Sequence, residues 1–124
     1  MSNARFENLF SPLQVGPMRV PNRICETTNT INSSMTPGLI DAHFIAHHAA
    51  KARGGTGWIG SETWLLEVPI PPEAADEVGL PVGFGARQAA YQNPAFAEGM
   101  ARFCAEVHRT GAVVVVQLTH LNSV

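Results

Sequence analysis

An α/β protein built on a parallel sheet is the fold class this sequence predicts, and three observations predict it. Ala112-Val113-Val114-Val115-Val116 is an unbroken run of small and β-branched residues without alternation, the pattern of a strand buried on both faces. Two helical segments with clear start and stop signals precede strand-like runs. Polar residues, Gln117-Leu118-Thr119-His120, then follow the Val-rich run, and the carboxyl ends of parallel strands are where such folds place ligands and catalytic groups.

The elements follow in order. Phe10 to Asn22 alternates short apolar stretches around Gly16-Pro17, which predicts a small β-hairpin. Arg23 to Thr28 reads as a short strand, and the polar stretch from Asn29 to Pro37 as a loop. Asp41 is placed to cap a helix running to about Arg53, with Phe44, Ile45, Ala49 and Ala52 toward the core and Gly54-Gly55 ending it. Gly57 to Thr63 is the next strand. Pro69 to Pro94 is a long irregular stretch, of the length that is usually functional in compact domains. Asn93-Pro94 then starts a second helix, and Phe96, Met100, Phe103 and Val107 form its apolar face to about Arg109. Thr110-Gly111 ends it. The order is hairpin followed by β(αβ)₂, for which parallel, right-handed crossovers are expected.

Composition narrows the function. A net charge of -2 provides no basic footprint for nucleic acid and no polybasic membrane patch. A hydrophobic content of 45% argues for a packed core over disorder. No stretch approaches the ~20 apolar residues of a membrane span, and the first residues carry no apolar signal core, so a soluble cytoplasmic protein is expected. Cys25 and Cys104 form no CxxC pair and are expected to be buried thiols. His43, His47 and His48 stand at helical spacing, with His43 and His47 at i, i+4 as a metal pair would be. Without an accompanying carboxylate motif they read as a solvated outer helix face. Glu26 and Glu62, at strand ends, read as structural and not as an acid–base pair.

A set of short motifs, ordered along nearly the whole chain, carries a resemblance. These are Leu9-Phe10-Ser11-Pro12-Leu13 with Val15-Gly16, Pro21-Asn22-Arg23-Ile24, Lys51-Ala52-Arg53-Gly54-Gly55-Thr56-Gly57, Glu62-Thr63 and Gln117-Leu118-Thr119-His120. Together they resemble the amino-terminal part of the old yellow enzyme family of FMN-dependent NADH:flavin oxidoreductases. The resemblance implies a TIM (β/α)₈ barrel, of which residues 1–124 would supply the amino-terminal hairpin and the first three βα-type units of a single FMN-binding domain. It implies FMN as cofactor, NAD(P)H as reductant, and hydride transfer to an activated alkene or related substrate, or the reverse in an amine dehydrogenase. Residue by residue, it puts Thr27, Thr28, Asn29 and Thr30 beside the flavin ring, with Thr30 at the side-chain position. Thr63 would meet the flavin carbonyl edge, Gln117 would bond the pyrimidine, and His120 would stand behind them. A carboxamide suits that edge because it offers both an acceptor and donors to a ring that alternates them.

The resemblance also has departures. Leu121-Asn122-Ser123 replaces the small residue, glycine and arginine that often follow this histidine in the family. The family's substrate-binding pair, the arginine near the flavin and the phosphate grip all come from later strands. None of the named residues is therefore expected to be catalytic. The alternative expectation is a catalytically inactive truncated remnant or a split-barrel subunit needing a partner, with a homo-oligomer or a complementing barrel fragment as the assemblies considered, because three strands cannot close an eight-strand barrel.

Overall fold

The structure, a computed structural model, describes residues 6–29, 39–65 and 93–119. Its elements are α1 (Glu7–Phe10), β1 (Leu13–Val15), β2 (Met18–Val20), β3 (Cys25–Glu26), α2 (Ala42–Arg53), β4 (Trp58–Leu65), α3 (Pro94–His108) and β5 (Val113–Thr119). The hairpin, both long helices and the three later strands stand where the sequence places them. The single turn of α1 has no counterpart in the sequence reading. It is closed by the Ser11 hydroxyl donating to the Asn8 carbonyl at 2.9 Å.

In the hairpin, β1 and β2 pair antiparallel with Leu13 opposite Val20 and Val15 opposite Met18. The two residues between them are Gly16 and Pro17, and Gly16 takes φ +55, the left-handed conformation that glycine adopts at least cost. The remaining strands form one parallel sheet in the order β3-β4-β5. Each connection within it carries a helix, α2 between β3 and β4, and α3 between β4 and β5.

Local chemistry sets the helix ends. The Asp41 carboxylate accepts from the Phe44 N–H at 3.0 Å, and the Asn93 side chain accepts from the Ala95 N–H at 3.0 Å with Pro94 opening the first turn. From these caps the apolar faces meet the sheet. Phe44, Phe103, Ile59 and Val107 are fully buried, with Ile40, Ala52, Trp64 and Ala112 completing the core. Phe44 sits edge-on to Phe103 with ring centroids 5.2 Å apart and tilts against Trp64 at 5.6 Å. Removing either phenylalanine ring would cost about 3–5 kcal/mol, a large share of the stability of a chain this size.

Three expectations are corrected. The Val-rich strand is not buried on both faces: Val113 to Val115 are half-buried, and Val116 and Leu118 are 38% and 61% exposed. The reason is position, since among the described residues β5 is the edge of the sheet, pairs with β4 alone and is packed on one side. Cys25 is exposed and Cys104 half-buried. Successive strand residues point to opposite faces, and Glu26 is turned toward α2, so Cys25 points away from the helices. Burial still raises the Cys25 thiol pKa, helped by the Glu26 charge, and burial alone raises that of Cys104. Finally, His48 is 1% exposed and His47 half-buried, so α2 does not present its histidines as one solvated face.

Candidate functional site

The sheet gathers its polar residues at the carboxyl ends of three adjacent strands. β3 ends at Glu26, and the chain turns at once, with the Asn29 N–H donating to the Thr27 carbonyl at 2.8 Å. That bond commits the Asn29 amide and leaves Thr27 and Asn29 exposed, with Thr28 half-buried between them. The Thr28 hydroxyl donates to the Gln117 side-chain oxygen, joining residues 89 positions apart. Thr63 stands directly opposite Gln117 in the β4–β5 register.

That last alignment depends on a bulge. Gly60 pairs with Val115, yet Thr63 pairs with Gln117, so β4 spends three steps where β5 spends two. An unbroken register would have set Glu62 against Gln117. The extra residue advances β4 by one position and brings a neutral hydroxyl to the rim, a re-aiming that bulges commonly perform. Glu62 is buried instead, and the Ser61 hydroxyl donates to the Glu62 carbonyl at 3.0 Å while accepting from the Trp64 indole at 3.1 Å.

Two further residues position the rim, and sequence reading had noted them only as motif letters or strand glycines. A Cβ on Gly60 would lie 2.6 Å from the Glu26 carbonyl and 2.9 Å from the Thr28 nitrogen, so only glycine lets β3 and its following turn approach β4 this closely. Asn22 ties the other ends of the same strands. Its carbonyl oxygen accepts from Ile24 N–H at 3.0 Å and Gly57 N–H at 3.1 Å, and its amide donates to the Gly55 carbonyl at 2.9 Å. An asparagine between a proline and an arginine before a strand is the signal that could have marked it.

Of the residues expected at the site, Thr27, Thr28, Asn29, Thr63 and Gln117 therefore fall on one rim, and Thr28, Thr63 and Gln117 are directly linked by bond or register. Thr30 and His120 lie outside the described residues. The rim suits the pyrimidine edge of a flavin. Gln117 has its oxygen engaged by Thr28, which orients the carboxamide and leaves its N–H groups as donors, and no charged side chain belongs to the set. Glu26 looks elsewhere, to His48 Nδ1 at 3.2 Å and to the Lys51 ammonium. Burial lowers the His48 pKa, an effect that Glu26 opposes.

The comparisons with known proteins bear on the fold and the family. An NADH oxidase from Thermoanaerobacter brockii is 26% identical over 115 residues, which cover 93% of this chain and 16% of the relative. Among solved structures, the old yellow enzyme from Pichia sp. AKU4542 superposes with a TM-score of 0.69 at 21% identity, over 93% of this chain and 27% of that one. The 6-hydroxypseudooxynicotine amine oxidase of Pseudomonas geniculata superposes with a TM-score of 0.64 at 28% identity, over 97% of this chain and 16% of that one. The chain thus spans about a sixth of the curated relative's length, and its fold is the opening part of these barrels. Residues 8–123 match the sequence profile of the NADH:flavin oxidoreductase / NADH oxidase family, and the chain belongs to that family.

Proposed function

We propose that this segment supplies the flavin-ring side of an FMN-dependent oxidoreductase, with Thr27, Thr28, Asn29, Thr63 and Gln117 lining the ring and Thr30 and His120 adjoining them. The observation that carries the reading is the Thr28 to Gln117 hydrogen bond with Thr63 in register beside it, across the carboxyl ends of three parallel strands. When bound, FMN provides the redox chemistry, in which hydride from NAD(P)H reaches an activated alkene or a related small substrate. The residues of this chain bind and orient. Gln117 donates from its amide toward the carbonyl acceptors of the pyrimidine, and Thr28 holds that amide in place. Thr63 offers its backbone at the same edge, and the Thr27–Asn29 turn borders it. The lack of a charged side chain in this set means that its own contribution to the ring's potential comes through hydrogen bonds.

Amide and side-chain resonances of isotope-labelled protein, titrated separately with FMN and with phosphate-free lumiflavin, test the reading. Both ligands are expected to shift Thr27, Thr28, Thr63 and the Gln117 carboxamide, because the ring is what these residues contact. Shifts confined to other residues would overturn the site map. Shifts with FMN and none with lumiflavin would mean that the rim holds phosphate and not the ring.

A further inference from the structure

We propose that Glu26, His47 and His48 form a binding site for a divalent transition-metal ion of the zinc type. One ligand atom from each of the three lies within 4.8 Å of the others. His48 is 1% exposed, and its Nδ1 lies 3.2 and 3.3 Å from the two oxygens of the Glu26 carboxylate. Nδ1 therefore carries the hydrogen and donates it, which leaves the lone pair on Nε2. That Nε2, and the Nε2 of His47, are both buried and have no hydrogen-bond partner among the described residues.

Two buried imidazole nitrogens without partners are costly, because water is excluded and no donor among the described residues replaces it. A metal ion would satisfy both. Two imidazole nitrogens backed by a carboxylate suit zinc and its neighbours in the first transition row, whereas calcium and magnesium take mainly oxygen ligands. With the His48 Nδ1–H donating to it, the carboxylate is the partner that orients a ligating histidine, and the two Nε2 atoms are the ligand atoms.

Without an ion, the positive charge beside Glu26 comes from Lys51, whose ammonium contacts the same carboxylate. Lys51 is 38% exposed on a flexible stem and can swing to solvent when a doubly charged ion enters. The Lys51 charge thus opposes the entry of a cation beside the histidine that Glu26 holds. The pair His47-His48 was not readable as a site from the helix alone, because neighbouring residues diverge by about 100° around the axis. Glu26 on β3 brings the set together from outside the helix.

The test is equilibrium dialysis of chelator-treated protein against Zn²⁺, with the visible absorption of added Co²⁺ as a second readout of coordination geometry. One Zn²⁺ per chain is expected, with affinity falling about tenfold or more in His47→Ala and in Glu26→Gln. Affinity should rise several-fold in Lys51→Met. His43→Ala, on the exposed side of α2, should leave binding unchanged. Failure to bind Zn²⁺, or binding that survives His47→Ala and Glu26→Gln, would overturn the proposal. So would a Lys51→Met variant that binds no tighter. His47 is half-buried and Gln is isosteric with Glu, so neither of these variants need unfold the chain. The Co²⁺ spectrum separates a bound ion of low coordination from one held loosely at surface histidines.

Discussion

Thr28 donates its hydroxyl hydrogen to the side-chain oxygen of Gln117, and this bond spans the sheet from the end of β3 to the end of β5 over the intervening β4. It decides which half of the Gln117 carboxamide is left for a ligand.

In flavin-bound protein, Gln117→Ala is expected to weaken FMN binding by about 1–3 kcal/mol and to shift the flavin reduction potential, because a donor to the ring is removed. Thr28→Val should have a smaller effect in the same direction, since it frees the carboxamide to rotate without deleting it. Flavin fluorescence titration and redox potentiometry read both, with exposed His108→Ala as the silent control. Equal effects from Thr28→Val and His108→Ala would show that the bond does not orient the site.

Gly60→Ala should destabilise the fold by about 1–3 kcal/mol. The added Cβ meets backbone atoms of Glu26, Thr27 and Thr28, which cannot rotate away as a side-chain tip would. Chemical denaturation measures the loss. An unchanged midpoint would mean that β3 and β4 separate at no cost.

Asn22→Ala deletes three hydrogen bonds, two accepted and one donated, that link the starts of β3 and β4. At about 1 kcal/mol each, the expected loss is roughly 2–3 kcal/mol, and Asn22→Asp should recover the accepted bonds but not the donated one. Thermal melts of the two variants would rank alanine below aspartate.

The open side of β5 should make the protein self-associate. Leu118 is 61% exposed beside Val116 on a strand that, among the described residues, pairs on one side only, and Val113 to Val116 carries neither charge nor proline. Such edges recruit further strands, from the same chain or another. Light scattering after size exclusion should show association that Leu118→Lys reduces. A compact monomer with unprotected β5 amides would count against it.

Local chemistry made most of the elements legible. Asp41 and Asn93 bond amides two or three residues away, and Phe96, Phe103 and Val107 follow helical spacing whatever lies across from them. The same holds for Gly16 at its turn. Thr28, Thr63 and Gln117 could be named only because their neighbours resemble a family's motifs, since nothing in their spacing announces a shared rim.

What the sequence by itself determined is therefore the order of hairpin, helices and strands, the parallel sheet, and the family. These rest on periodicity, caps and turns, whose causes lie within a few residues. Only the tertiary structure decided that a bulge in β4 puts Thr63 and not Glu62 opposite Gln117, and that Glu26 turns to His48 and Lys51. It also decided that Cys25 faces outward and that Val116 and Leu118 of the Val-rich strand are exposed. Each of these outcomes depends on which surface another element covers, and that surface comes from residues between about 20 and 90 positions away.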